Sequence, residues 1–493
     1  MAEDDLRSRT TRSVGWIVLE RWSSRLVSLL VLALLTRALT PAEFGLVATA
    51  VSLIAILQAF VDSGLSKSLI QRKELGPKDA TTVFWTGLSL ALVLGGLICL
   101  LAPLLARAFG QPDLTPIVQI LSLLLPISAL SQTPAALLER ELEFKALSIR
   151  KFVGTLAGAA AAVLLVLLGA GVWALVVQNL VTAAVAVVVL WASTSWRPSA
   201  AFSFASLKTL LRTGLPILGI DLLDAAQANL DKLVIGALFS PEVLGYYFVA
   251  QRVGIIASDL LVSVFSRVTL STFSRVQHDR ERLNRIFRQM TYVAGAVSVI
   301  MFGLLAVFAP QVLATLFGDQ WDDAVPILRV LAPGWALGSI MFFDRSMFIA
   351  TSNATSGLVL ALVQNVVSIA LLFAFAPFGI LGVAFSRLAR LVVWPLRLYV
   401  LRRAAGVDIG KYILQVLRCV TAAAPVLVGL SLLLATPWAD APAPFWTFVA
   451  PASLLGLLTY AGLLWLIAGE ENRVVLRSVS RDVVVRFRGP ATT

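Results

Sequence analysis

Charged side chains interrupt the apolar stretches of this chain, and several of them recur at the spacing of one helix face. Arg21, Arg25 and Ser28 follow one another by four and three residues, which places them on the same side of a helix. An ionisable residue inside a membrane span is costly and usually faces a bundle interior or an aqueous cavity. Three other stretches show similar patterns. They hold Gln58, Asp62 and Ser66; Asp221, Asp224 and Asp231, with Asn229 and Lys232 beside that face; and Arg252, Asp259, Ser263 and Arg267.

Together these faces predict one central, charged cavity that binds substrate. Arginine presents a planar fork of donors that suits phosphate, and carboxylates accept hydrogen bonds from sugar hydroxyls, so the cavity suits a polar, anionic head group that bears sugars. The same charges can instead neutralise one another, as Arg25 with Asp62 or Asp231 with Arg252, and hold helices together. The aspartates can also couple transport to a proton or sodium gradient. Arg21 and Lys67 can instead snorkel to the interface, as long basic side chains do.

The stretches that hold these charges are typical of membrane-spanning helices. The chain has 493 residues, of which 58% are hydrophobic and 14% charged, and its mean hydropathy is +0.88. Soluble domains carry about a quarter charged residues, so this composition predicts an integral membrane protein. The net charge of +12 comes from short loops between spans and not from a basic-aromatic patch. No nucleic-acid partner is therefore expected.

Cysteine and histidine are scarce in this chain. His278 is the only histidine, and the two cysteines, Cys99 and Cys419, lie inside apolar spans. Neither a disulfide framework nor a metal site is expected from them. Membrane glycosyltransferases and polymerases usually place catalytic groups on a sizeable external loop, whereas the loops on the predicted outer side are short. We therefore expect no enzymatic activity, no catalytic residues and no bound metal or cofactor.

Hydropathy predicts about fourteen membrane spans, each long enough for a helix of roughly 20 residues. Lys and Arg concentrate in every second loop, which by the positive-inside rule places those loops and both termini in the cytoplasm. The predicted domains are 1–205 for spans one to six, 206–405 for spans seven to twelve, 406–469 for two further spans and 470–493 for a basic cytoplasmic tail. The spans are expected near 13–38, 42–69, 81–108, 114–137, 148–169, 171–193, 209–238, 242–272, 287–315, 324–351, 354–376, 379–403, 411–435 and 444–468.

The two halves of the chain repeat a short motif between consecutive spans. Leu39-Thr40-Pro41-Ala42-Glu43-Phe44-Gly45 corresponds to Phe239-Ser240-Pro241-Glu242-Val243-Leu244-Gly245 later in the chain. A membrane protein with two duplicated halves is by default two lobes around a shared path. Since each predicted repeat holds six spans, an even number, the repeats are parallel. The expected fold is all-α, with two six-helix lobes and two extra C-terminal helices, and the expected activity is transport.

Five short segments carry a resemblance to a known family. They are 36–45, 62–65, 70–72, 229–236 and 244–247. In these segments the chain resembles the polysaccharide-transporter flippases of the multidrug/oligosaccharidyl-lipid/polysaccharide exporter superfamily, and most of all the exporters of the colanic-acid and lipopolysaccharide type. The resemblance extends over spans one to twelve.

This resemblance implies two lobes that form a V and work by alternating access. It implies that undecaprenyl-diphosphate-linked oligosaccharide is flipped from the cytoplasmic to the outer leaflet of a bacterial plasma membrane for surface polysaccharide biosynthesis. The implied partners are that lipid, other membrane lipids and the polysaccharide polymerase machinery. The alternative is a cation-coupled drug or metabolite antiporter of the same superfamily. The resemblance assigns contact with the pyrophosphate and sugars to cavity arginines, a role that fits Arg21, Arg25, Arg252 and Arg267.

Overall fold

The structure, a computed structural model, is helical throughout most of the chain that it describes. Arg21 and, apart from residues 472–473, the predicted basic tail lie outside the described residues. Within the described residues there is no β-strand, which confirms the predicted all-α class. The described residues are 23–62, 64–72, 74–76, 78–276, 279–350, 354–435, 445–469 and 472–473.

The chain divides into two compact units, Met1–Val249 and Ala250–Thr493. Helix α1 is described over residues 23–38, and α10 (Pro241–Val276) begins in the first unit and continues in the second. The domain boundaries proposed at residues 205 and 405 remain predictions. The other helices of the first unit are α2 (Pro41–Val61), α3 (Leu65–Gln71), α4 (Asp79–Ala108), α5 (Leu114–Leu121), α6 (Leu124–Arg140), α7 (Phe144–Leu167), α8 (Trp173–Ala192) and α9 (Phe204–Leu238).

The second unit contains the remaining helices and two short 3₁₀ turns, Asp319–Trp321 and Ala376–Phe378. Within this unit, the helices Ile409–Leu434 and Phe445–Ile467 pack on the helix Arg280–Val307. The Tyr460 hydroxyl donates to the carbonyl oxygen of Ala296 at 2.9 Å. The helices are α11 (Arg280–Val307), α12 (Ala309–Phe317), α13 (Ala324–Ile340), α14 (Phe342–Ala350), α15 (Ala354–Phe375), α16 (Gly379–Ser386), α17 (Ala389–Ala405), α18 (Ile409–Leu434) and α19 (Phe445–Ile467).

Side-chain caps fix where several helices begin. The Thr40 hydroxyl accepts from the backbone N–H of Glu43, and the Glu43 carboxylate accepts from the backbone N–H of Thr40, which forms a reciprocal capping box before α2. Pro41 follows at the first helical position, where its missing N–H costs no helix bond. Ser203, Asp279 and Asp408 cap α9, α11 and α18 by accepting the backbone N–H three residues on.

The two copies of the repeated motif lie against each other in the first unit. A Cβ added at Gly45 would lie 1.7 Å from the carbonyl oxygen of Pro241. A Cβ added at Gly245 would lie 1.9 Å from the carbonyl oxygen of Pro41. Only glycine permits so close an approach of two backbones. The contact is reciprocal, so the sequence repeat is also a packing motif that joins the first turns of α2 and α10.

Breaks divide several of the predicted spans into two helices. The break between α5 and α6 falls at Ser122 and Leu123. Pro126 lies one turn later and has no N–H to donate back to Ser122, which accounts for the position of this break. A turn at Met341 separates α13 from α14.

Ten stretches of the described chain are long and apolar enough to cross a membrane. The protein is therefore a multi-pass membrane protein. Each predicted span from the second onward coincides with one helix or two consecutive helices. Helices α9 and α10, which hold the predicted aspartate and arginine stripes, are absent from those ten described stretches. The count of fourteen spans and their grouping into six-helix lobes stay predictions.

Candidate substrate-binding site

A network of polar side chains joins four helices of the first unit. Lys67 of α3 places its Nζ 2.6 Å from Oδ1 of Asp221 on α9. The side-chain amide of Gln132 on α6 donates to Asp62, which follows the last residue of α2. The Ser66 hydroxyl donates to Oε1 of the same glutamine at 3.3 Å. We call these five residues the Lys67 network.

The Lys67 network is open to its surroundings. The Lys67 side chain is 53% exposed and that of Asp221 is 21% exposed, and Asp62 is exposed as well. An exposed ion pair contributes only about 0–1 kcal/mol, so a ligand can replace it at little cost. The ammonium can donate to phosphate oxygens, while the two carboxylates and the amide can bind sugar hydroxyls. The arrangement thus offers one cation beside several acceptors.

A pair of glycines brings the helices of this network together. A Cβ added at Gly64 would lie 2.2 Å from the carbonyl oxygen of Gly214. A Cβ at Gly214 would in turn lie 3.1 Å from the carbonyl carbon of Gly64. Because neither residue has a side chain, the turn before α3 lies directly on α9. This approach lets Lys67 reach Asp221, which lies two turns further along α9.

The predicted acidic stripe of α9 does not form one continuous surface. Asp231 is only 3% exposed and accepts a hydrogen bond from the buried Tyr247 hydroxyl at 2.5 Å. It lies about 15 Å along the helix axis from Asp221, given a rise of about 1.5 Å per residue. Asn229 accepts from Lys232 Nζ at 3.2 Å. Only the Asp221 end of the stripe therefore belongs to the Lys67 network.

The remaining predicted residues lie on other helices. Arg25 on α1 is half-buried, and Asp224 on α9 is exposed. Arg252 and Asp259 are half-buried on the part of α10 that belongs to the second unit, two helical turns apart. Arg21 and the side chain of Arg267 lie outside what the structure describes. Among the described residues, Asp62 pairs with Gln132 and not with Arg25.

Sequence reasoning missed two members of the network. It read Lys67 as a residue that snorkels to the interface, although the lysine lies in a stretch that also holds Asp62 and Ser66. Gln132 was not selected, although the polar run Ser131-Gln132-Thr133 interrupts an apolar span. That run was the available signal, because polar groups inside spans usually face other protein groups.

Sequence comparison relates most of the chain to proteins of polysaccharide biosynthesis. A sequence model of the family described as "Polysaccharide biosynthesis protein" matches residues 34–326. The succinoglycan biosynthesis transport protein ExoT of Rhizobium meliloti (strain 1021) is 31% identical over 323 residues, which are 65% of this chain and 65% of that protein. The lipopolysaccharide biosynthesis protein WzxC of Escherichia coli (strain K12) is 28% identical over 345 residues, 68% of each. The match thus spans just under two thirds of the length of ExoT.

Two solved structures share the helical fold. The inward closed conformation of the lipid II flippase MurJ matches with a TM-score of 0.74 at 14% identity, over 91% of this chain and 98% of that one. The inward-facing conformation of a multidrug resistance MATE family transporter of the MOP superfamily matches with a TM-score of 0.61 at 17% identity. That match covers 77% of this chain and 95% of the transporter.

Proposed function

We propose, since the chain belongs to the family of polysaccharide biosynthesis proteins, that it is a flippase and not an enzyme. Its substrate is an undecaprenyl-diphosphate-linked oligosaccharide, which it moves from the cytoplasmic to the outer leaflet of a bacterial plasma membrane. The names of its relatives support this role, since they refer to succinoglycan transport, lipopolysaccharide biosynthesis and teichuronic acid biosynthesis. The transported unit then serves surface polysaccharide biosynthesis.

The observation that carries the proposal is the exposed, mixed-charge Lys67 network among apolar helices. A lipid-linked oligosaccharide brings a diphosphate, which needs a cation, and sugar hydroxyls, which need acceptors and amides. Lys67 supplies the first, and Asp62, Gln132 and Asp221 supply the second. Binding replaces the Lys67–Asp221 pair by a phosphate contact, and the carboxylate turns to a sugar hydroxyl. A network of this composition suits a purely hydrophobic drug poorly, because such a ligand offers no hydrogen-bond partners to the charged and polar side chains.

The finer features of this role follow from the charge pattern of the loops and the duplicated halves. Both termini face the cytoplasm, and two lobes expose the site to each side of the membrane in turn. Arg25 in the first unit and Arg252 in the second are further candidates for contact with the diphosphate and sugars. Downstream, the polysaccharide polymerase machinery receives the flipped lipid.

A deletion of the gene in its host tests the proposal. We expect the lipid-linked repeat unit to accumulate on the cytoplasmic side and the surface polymer to disappear. Mass spectrometry of the lipid extract and immunoblotting of the surface polysaccharide measure the two effects. Plasmid-borne wild-type protein should return the lipid-linked pool and the surface polymer to their normal levels. Lys67→Ala protein, expressed at the same level, should return neither of them fully.

The antiporter alternative makes opposite predictions in the same strains. Normal pools of lipid-linked sugar and normal surface polymer, in a host without a paralogue, would contradict the flippase. A loss of dye efflux that depends on Asp62 but not on the basic residues would then favour a cation-coupled antiporter. The deletion strain therefore separates the two functions in one set of measurements.

A further inference from the structure

A second polar cluster lies in the second unit, away from the Lys67 network. Asp344 on α14 is completely buried, and its Oδ2 lies 2.5 Å from Nε of Arg397 on α17. The same guanidinium donates to Oε1 of Gln364 on α15 at 3.3 Å. It also donates to the carbonyl oxygen of Met341 at 3.2 Å. One arginine thus joins three helices and the turn between α13 and α14.

The cluster leaves a buried carboxylate oxygen without a partner. The second carboxylate oxygen of Asp344 has no hydrogen-bond partner among the described residues. Two polar aromatic residues lie nearby, Tyr412 on α18 and Trp394 on α17, with 6.3 Å between their ring centroids. Tyr412 is close enough to Asp344 for its hydroxyl to interact with the carboxylate charge. A buried polar atom without a partner in a native structure calls for an explanation, and one explanation is a functional role.

We propose that Asp344 takes up and releases a proton in each transport cycle, with Arg397 as its internal counter-ion. This proposal rests on the proposed function as a flippase. When a proton binds to the carboxylate, an O–H bond forms on the partnerless oxygen, the carboxylate becomes neutral and the guanidinium keeps its positive charge, so the ion pair is lost. When the proton leaves toward the other side of the membrane, the ion pair re-forms. No other group is oxidised, reduced or transferred.

The geometry favours a proton over a metal cation as the coupling ion. The guanidinium already occupies one oxygen of Asp344, so the carboxylate offers only its other oxygen to a further cation. A metal cation needs several oxygen ligands, whereas a proton needs one. Among the described residues there is also no group of three His, Cys, Asp or Glu side chains that could hold a metal ion.

Few other charges lie around Asp344 among the described side chains. Helix α14 packs against α11, α13, α15 and α17. Helix α15 contains no charged residue, and on α13 the only charged side chain, Arg329, donates to the carbonyl oxygen of Ala306. On α11, Phe287 and Met290 join the apolar core around the pair. Among the side chains that the structure describes, the groups that titrate or carry charge near the site are Arg397 from α17 and Tyr412 from α18, while the α11 residues Arg288 and Tyr292 line a separate cavity and a separate core cluster.

The position of the pair links its charge to the helix break. Arg397 holds both the carboxylate and the last carbonyl before α14, at Met341. Loss of the ion pair therefore releases one of the bonds that hold α13 and α14 at their present angle. In this way protonation of Asp344, driven by the proton gradient, can change the angle between α13 and α14.

The test uses purified full-length protein in liposomes that contain the lipid-linked oligosaccharide extracted from the deletion strain. Translocation is followed as the fraction of sugar accessible to periodate added outside, with and without an imposed pH gradient. We expect the gradient to stimulate the wild type, and an equal sodium gradient to leave it unchanged. Asp344→Asn should translocate at the same rate with and without the gradient. Glu281→Gln, which removes an exposed carboxylate of the same unit, should keep it.

Asp344→Asn leaves a buried arginine without its counter-charge, so the double variant Asp344→Asn/Arg397→Gln serves as a second probe with a neutral pair. Stimulation that survives in either variant would overturn the proposal. So would a wild type that translocates at the same rate with and without the gradient, an outcome that leaves the flippase function intact. A wild type that does not translocate the lipid at all would instead contradict the proposed function itself.

Discussion

Two ion pairs of nearly equal length lie in opposite surroundings in this protein. In the first unit, Nζ of Lys67 lies 2.6 Å from Oδ1 of Asp221, and the Lys67 side chain is 53% exposed. Arg397 and Asp344 are 2.5 Å apart in the second unit, and the carboxylate is buried completely. The two pairs therefore do not differ in length but in the exposure of their side chains to the surroundings. The exposed pair is suited to exchange partners with a ligand, and the buried pair to hold helices together until its charge changes.

The difference shows how the same chemistry serves two purposes. In the first unit, glycine contacts at Gly64 and Gly214 hold the helices, so the charges of Lys67 and Asp221 are not needed for packing. In the second unit the guanidinium itself joins the helices through three acceptors. A charge that is not required for packing can bind substrate, because the fold survives when its partner changes.

The largest effect is expected from Arg397→Ala. The substitution leaves Asp344 buried and unpaired, so the free energy of unfolding should fall by about 3–5 kcal/mol. Denaturant titration of the purified protein in detergent measures this fall in the free energy of unfolding. The paired replacement Asp344→Leu/Arg397→Met is the control and should recover most of the loss, because an apolar pair requires no counter-charge. An Arg397→Ala protein as stable as the wild type would show that the buried pair does not hold the helices.

A smaller effect is expected from Gly64→Ala. The new methyl group would lie 2.2 Å from a backbone oxygen, so α3 must move away from α9 and stability should fall by about 1–3 kcal/mol. The shift also separates Lys67 from Asp221, so export should fall with it. Gly87→Ala in α4 is the matched control, since no atom lies within 4 Å of the added carbon there. Equal stability of the two variants would contradict the role assigned to the glycine contact.

Much of the fold could be predicted from the sequence, because long apolar stretches and the Thr40 capping box are local signals. The repeated motif was also visible, but its physical meaning was not. Nothing local indicates that Gly45 and Gly245 face each other's proline carbonyls, since that contact joins residues far apart in the chain. The reciprocal contact follows from tertiary packing alone.

The site was predictable only in part, for the same reason. Helical spacing selected Asp62 and Asp221, which the structure places in the Lys67 network, but it grouped Asp221 with Asp231, which the structure buries against Tyr247. Spacing along one helix shows which residues share a face and does not show what packs on that face. Asp344 and Arg397 lie 53 residues apart on different helices, so no periodic pattern connects them.

Lys67→Ala should separate stability from transport most clearly. Its free energy of unfolding should change by no more than about 1 kcal/mol, because the pair is exposed. Export of surface polysaccharide in the complemented deletion strain should nevertheless fall about tenfold or more, since a charge-assisted hydrogen bond to phosphate is worth about 1.5–3 kcal/mol. Lys67→Arg keeps the charge and should keep most of the export. Normal export with Lys67→Ala would remove the lysine from the binding site.

The smallest effect is expected at an ion pair that has neither burial nor a proposed ligand. Arg285 and Glu281 lie one helical turn apart on α11, at 3.3 Å, with side chains that are 57% and 88% exposed. Arg285→Ala should lower stability by about 0.5 kcal/mol at most, and export should not change, because solvent screens the pair fully. The stability and export of this variant are the reference values for Lys67→Ala. If Arg285→Ala reduced export as much as Lys67→Ala does, exposed positive charge in general would matter to transport, and the specific geometry of the Lys67 network would not.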